Sequence, residues 1–265
     1  MEYLKILMTC IFCDSDKNIT TIEHIVPESL GNLTYVLDKD GICKSCNNKF
    51  AKFEQAALSN TIIGFERTRF SILTKKGKLP RSEVKRVVFT ADKQMRKNTI
   101  EFSGVTQDEI TNFDSQTGSF QMKVSAFDKN EVLVSKFLLK IGIESLYKSN
   151  KKIFKKYNFT ELKDFITAKE NIDWPFITTQ KEFNLFKSIP RYTDKHSLKR
   201  INCQLLFSEL NQNTLLFRFI YGGFKANINL LNKNVVWIEP YLVKFKNVLG
   251  IHQNHFKNKL DCNIL

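Results

Sequence analysis

The stretch CIFCDSDKNITTIEHIVPESLGNLTYVLDKDGICKSCN, Cys10 to Asn47, decides how this 265-residue chain is read. It opens on one Cys-x-x-Cys pair, Cys10 and Cys13, and closes on another, Cys43 and Cys46. Each such knuckle turns two thiolates to one side. Two knuckles close a tetrahedral four-sulfur site with metal–sulfur distances of about 2.3 Å, the arrangement zinc prefers. The alternative is cysteines buried as small hydrophobes, or a redox pair. Two pairs within 37 residues tell against chance. Four thiolates leave no open coordination position, so a Zn2+ ion here is expected to be structural. A module of about 60 residues has a thin core, and zinc contributes roughly 10–16 kcal/mol of apparent folding free energy to such modules. Cys203 and Cys262 show no partner pattern and read as buried thiols.

Between the pairs lie 29 residues, more than a plain zinc ribbon needs. Residues 18–27, NITTIEHIVP, read as a strand entering a turn, with Pro27 and Gly31 fixing that turn. Residues 31–41, GNLTYVLDKDG, read as a loop. A regular strand puts Glu23 and His24 on opposite faces. Near a turn both can reach one phosphate from different directions. A carboxylate is a hard ligand suited to magnesium. An imidazole that titrates near neutral pH suits a general base. Glu-His alone is a weak signal, because a lone histidine is more often a hydrogen-bonded structural residue than a catalyst.

Taken together, the order C-x2-C … EHIVPESLGN … GICKSCNN resembles the HNH endonuclease family, in its zinc-stapled branch. The resemblance covers residues 8–60 and implies a ββα-metal fold. It matches His24 to the general base and Glu23 to the acidic metal ligand before it. It matches Asn47 to the residue after the second knuckle that completes a Mg2+ or Mn2+ site, with Asn48 as a substitute. The Asn that orients the base in the family has no clean counterpart. Asp38 stands near the expected spacing, with Asn32 and Asp40 as alternatives. A lysine common in the family is replaced by Phe50, and Lys49 or Lys52 can take its place on phosphate. The implied product carries a 5′ phosphate. The resemblance also implies a role in bacterial or phage conflict, as antiphage defence or restriction, in which some restraint on cutting is expected.

Outward from this module the composition sets the frame. Lysine and arginine number 41 against 27 acids, a net charge of +14. Residues 1–60 hold six lysines and eight acids, a net −2, so the excess lies downstream. Residues 61–100 hold eleven basic residues against three acids, a net +8. Lys75, Lys76, Lys78, Arg81, Lys85 and Arg86 are the candidate nucleic-acid contacts, with double-stranded DNA as the expected partner. The bland reading is a solvated face in a lysine-rich chain. The aromatics interleaved there, Phe65, Phe70 and Phe89, fit a core better than a stacking platform. No run of 18 apolar residues predicts a membrane span. The N-terminal MEYLKILMTCIFC lacks the basic region and cleavage site of a signal peptide, which predicts a cytoplasmic protein.

The expected class is α+β: a zinc-stapled ββα-metal module, then a larger mixed α/β C-terminal domain. The division expected is 1–74 for the module and its helix, 75–82 for a linker, and 83–265 for a domain that recognises, oligomerises (as a homo-oligomer) or senses. A helix is predicted from Asn47, with Phe50, Phe53, Ala57 and Leu58 on one side and Gly64 as its breaker. Residues 84–91, 99–104 and 119–127 predict a small antiparallel sheet. Residues 130–150 predict an amphipathic helix burying Val134, Phe137, Leu138, Ile141 and Leu146. A capped helix is predicted around Thr160. Strands are predicted at 201–210, 214–223, 225–231 and 235–241, with a turn at Gly222-Gly223. Two readings compete with a DNA endonuclease: a zinc-dependent nucleic-acid-binding module without catalysis, and a nuclease acting on RNA.

Overall fold

The computed structural model describes residues 9–37, 39, 41–59, 62–84, 86–122, 131–168, 173–179, 202–239 and 249–252. It is a mixed α/β structure of two compact units, one made of residues 1–54 and 131–265, the other of residues 55–130. No described helix is long and apolar enough to cross a membrane.

The first unit opens with the cysteine module. Strands β1 (Glu23–His24) and β2 (Val36–Leu37) pair antiparallel, Glu23 opposite Leu37 and His24 opposite Val36. The segment read as a loop therefore contains the second strand of a hairpin. Its signal is weak because each strand is two residues long. Helix α1 (Lys44–Ser59) follows the second knuckle and buries Phe50 and Phe53. Phe12, from the first knuckle, meets Phe50 edge-on at 4.6 Å.

After the second unit the chain returns as α3 (Glu131–Ser149), α4 (Lys151–Lys156) and α5 (Thr160–Thr167). The N-cap of α5 is Phe159, which offers no side-chain cap; Asn158 just before it accepts at Oδ1 from the Thr160 amide at 2.8 Å and its hydroxyl at 2.6 Å. Helix α3 is buried over residues 134–146, so it is a core helix rather than a one-sided amphipathic one. It lies on a five-stranded antiparallel sheet ordered β12-β8-β11-β10-β9. Those strands are β8 (Phe176–Thr179), β9 (Cys203–Asn211), β10 (Thr214–Tyr221), β11 (Phe224–Asn229) and β12 (Leu249–His252). Interior strand β10 is buried along its whole length, so both sheet faces are covered there. Phe137 meets Phe219 edge-on on the α3 side. A Cβ on Gly142 would come within 3.0 Å of the Phe217 ring and 2.7 Å of Leu230. That glycine sets how closely helix and sheet approach. On the other face Trp237 and Ile238 cover Ile177, Leu206, Leu216 and Ile220. Residues Val236–Ile238 form a 3-10 turn instead of the predicted strand. The Trp237 and Ile238 side chains cap the sheet instead of joining it.

The second unit holds the rest of α1, then α2 (Ile62–Arg69) and β3 to β7. Strands β3 (Arg81–Val84), β4 (Val87–Ala91) and β5 (Ile100–Ser103) form one antiparallel sheet. Strands β6 (Ile110–Asp114) and β7 (Ser119–Met122) form a separate hairpin. The core is small: Phe65 packs on Phe89 at 4.8 Å, beside Val87, Ile100 and Val105. Gly64 does not end a helix. It sits inside α2, where a Cβ would lie 2.6 Å from the Leu58 carbonyl oxygen. Residues 75–82 lie within this unit too. Thr74 and Lys78 close a turn through left-handed Gly77, and β3 begins at Arg81. The Gly and Pro that resembled a linker punctuate a turn and lead into an edge strand.

Candidate active site

The sulfurs set the frame of the module. The Cys10 amide donates to the Ser15 carbonyl at 2.8 Å, and the Asp14 amide to the Cys10 carbonyl at 2.9 Å. Asp14 and Asn18 take left-handed φ values of 55° and 56°, which short polar side chains tolerate. The Ile11 amide reaches the Gly41 carbonyl at 3.0 Å and joins the two knuckles. As a result the Sγ atoms of Cys10, Cys13, Cys43 and Cys46 all lie within 4.8 Å of one another. Cys13 and Cys43 are 3.6 Å apart. Zinc–sulfur bonds of 2.3 Å require edges of about 3.8 Å, so the tetrad fits a tetrahedral metal such as zinc. The thiols compete for protons. A hydrogen bond from Cys46 draws Cys10 down to about 4, and the same pair pushes Cys46 far up. Such crowding is relieved when one cation takes all four as thiolates.

The hairpin carrying Glu23 and His24 is short, and a buried asparagine holds it. Asn32 Nδ2 donates to the Val26 carbonyl at 2.6 Å and the Tyr35 carbonyl at 2.9 Å. Its Oδ1 accepts from the amides of Thr34 at 3.2 Å and Tyr35 at 2.9 Å. Pro27 leads into a 3-10 turn over Glu28–Leu30, which Gly31 ends at a left-handed φ of 90°. The turn expected from Pro27 and Gly31 forms in this way. Asn32, an alternative for the base-orienting residue, acts on this backbone.

On β1 the two side chains leave on opposite faces, as strand geometry requires. Glu23 points inward with Leu37 and is 8% exposed. His24 is half-buried, and its Nδ1 is buried with no hydrogen-bond partner. Glu23 Oε1 accepts from Lys140 Nζ of α3 at 2.6 Å. The same ammonium lies 2.7 Å from Glu54 Oε1 on α1 and 3.3 Å from Glu144 Oε2 on α3. Burial opposes the Lys140 charge, but the carboxylates of Glu144, Glu54 and Glu23 outweigh it and keep it firmly protonated. Burial lifts Glu144 well above the ordinary carboxylate range, with Lys140 opposing only in part.

Asn47 is half-buried in the first turn of α1. Glu54 lies seven residues on, close to the same face of the helix. Because Glu54 and Glu23 share one ammonium, that face of α1 is turned toward β1. Glu23 and Asn47 offer hard oxygen donors, so the residue types on this side fit a divalent cation of the magnesium class. Asp38 and Asp40 lie outside the described residues. Lys75, Lys76, Lys78, Arg81 and Arg86 are exposed in the second unit, and Lys85 lies outside the described residues. Arg86 is engaged by Glu109 at 3.3 Å, and Arg81 by Glu83 at 3.6 Å.

Lys140, Glu54 and Glu144 were not expected at the site. Their signal was present: Lys136, Lys140 and Glu144 interrupt the largely apolar run VLVSKFLLKIGIESL, each one turn after the last. Charges at such positions must be paired.

No curated protein and no solved structure matches the chain. A family model does: residues 10–63, which carry the sulfur tetrad, the Glu23-His24 hairpin and α1, match the family described as HNH endonuclease.

Proposed function

We propose that this module hydrolyses phosphodiester bonds of double-stranded DNA, with His24 as general base and a divalent cation, Mg2+ or Mn2+, held by Glu23 and Asn47. The family match supports a nuclease-type function. The observation that carries the mechanism is the His24 Nδ1, a buried nitrogen left without a partner. Such an atom costs about 1–3 kcal/mol when unsatisfied, and a water arriving with the substrate relieves that cost. Nδ1 then takes a proton from this water as its oxygen attacks phosphorus. The bond to the 3′ oxygen breaks, that oxygen takes a proton from solvent, and the new end carries a 5′ phosphate. When bound, the cation supplies positive charge beside the phosphate and the leaving oxygen. Asp38 is proposed to orient the imidazole. Lys75, Lys76, Lys78, Arg81, Lys85 and Arg86 are proposed to hold backbone phosphates, and defence against foreign DNA is the proposed setting.

One observation favours a second reading. The Glu23 carboxylate already has a cation in Lys140, as it would in a module that binds nucleic acid without cutting it. Incubating supercoiled plasmid with the zinc-loaded protein and Mn2+ separates the two. The nuclease reading expects nicked and linear products, a 10²–10⁴-fold slower rate for His24→Ala, and ends that a 5′-phosphate-dependent ligase can seal. Tight binding without any cleavage, in either variant, favours the binding module. Cleavage of RNA with DNA left intact would move the substrate assignment. Charge reversal at Lys75, Lys76 and Arg81 should weaken binding and flatten its dependence on salt.

A further inference from the structure

We infer that Lys140 is a positioning residue for Glu23, so that the site is completed by a helix 117 residues away in sequence. The inference rests on the nuclease reading for the role of Glu23 and goes beyond it by placing part of the machinery outside the matched segment, 10–63. Strand β1 is two residues long and has two register pairs with β2, so its backbone constrains a side chain weakly. Orientation of the Glu23 carboxylate therefore comes from what it touches, and that is the fully buried Lys140 ammonium. Three elements send carboxylates to this one nitrogen: Glu23 from β1, Glu54 from α1 and Glu144 from α3. A buried ion cluster of this kind is a poor source of net stability, because desolvation consumes the Coulombic gain. It is a good source of fixed geometry. With Oε1 held by Lys140, the carboxylate cannot turn freely, and Glu23 and Glu54 are kept together despite their like charge. Groups that hold a metal-binding carboxylate in this manner control affinity without touching the ion.

The test uses the full chain with its zinc, and reads Mn2+ affinity by calorimetry alongside plasmid nicking. Lys140→Met should weaken Mn2+ binding by about 10- to 100-fold, with a matching loss of rate at fixed Mn2+ and plasmid affinity unchanged. The triple variant Lys140→Met/Glu54→Gln/Glu144→Gln leaves Glu23 as the one ionisable group of the cluster, removes its like-charged neighbours, and should show the same loss. Lys136→Met removes another lysine from α3, one that bonds the Ala168 carbonyl, and should keep wild-type affinity. The inference is overturned if Lys140→Met or the triple variant binds Mn2+ as wild type does. It is equally overturned if Lys136→Met is as damaging, or if wild type binds no Mn2+. Wild type that binds Mn2+ and cuts no nucleic acid sinks the nuclease reading alone, and the affinities still decide the part played by Lys140.

Discussion

Two buried asparagines show how differently the two ends of the first unit are held. Asn32, in the cysteine module, is fully buried and uses both amide hydrogens and accepts two backbone amides. Asn227, in the middle of β11, is 2% exposed, and neither its Nδ2 nor its Oδ1 has a partner. The module can spare a polar group less easily, since its buried apolar side chains, Phe12, Ile25, Phe50 and Phe53 among them, are fewer than those of the helices and sheet. The sheet tolerates an orphan amide because Phe137, Phe207, Phe217, Phe219 and Tyr221 are fully buried around α3 and β10. A thin core depends on specific bonds, here beside a sulfur tetrad that can hold a metal, whereas a thick core depends on area.

The largest effect expected from this contrast concerns the metal. Removing zinc with a chelator, or Cys46→Ser, withdraws on the order of 10 kcal/mol from the module. Amides of residues 10–37 should then lose protection from hydrogen exchange while those of β9, β10 and β11 keep theirs. Loss of both together would show that the sheet also leans on the sulfurs. Next is Phe217→Ala, which empties space between β10 and α3 and should cost about 3–5 kcal/mol in a denaturant titration. The zinc content of the folded protein should not change.

The asparagines themselves sharpen the comparison. Asn32→Ala strands backbone groups at Val26, Thr34 and Tyr35 and should cost about 1–3 kcal/mol. Asn227→Ala removes no bond, and the small cavity should limit its cost to about 1 kcal/mol. Equal costs would break the argument that the two regions are held differently. The smallest effect is a pH dependence. The raised pKa of Glu144 means that its contribution to stability is complete below the ordinary carboxylate range and fades as pH rises through its folded-state value. Glu144→Gln cannot ionise, so its melting temperature should gain on wild type as pH rises from about 5 to about 9. A constant difference across that range would mean that Glu144 is ionised in the fold.

Much of the module was legible because its determinants are local. The knuckles, the turn at Pro27 and Gly31 and the start of α1 each follow from residues a few positions apart. The helices and strands of the rest announced themselves by periodicity, α3 and β9 to β11 most clearly. Three misreadings have separate causes. The two-residue β2 is too short for a periodic signal. Gly64 continues a helix because packing against Leu58 outweighs its low propensity. Val236–Ile238 is β-rich in composition but caps a sheet face instead of pairing at its edge.

From the sequence alone came the four-sulfur cluster, the glutamate-histidine pair beside its turn, and the asparagine in the first turn of α1, since spacing along a chain dictates which side chains a knuckle, a turn or a helix start can bring together. Only the tertiary structure put Lys140 against Glu23 and Glu54, left the His24 Nδ1 without a partner, and turned Asn32 into the clasp of the hairpin. The first of these depends on how α3 packs across more than a hundred residues of intervening chain. Local spacing cannot encode that, because burial and charge pairing are decided by whichever surfaces the folded chain brings into contact.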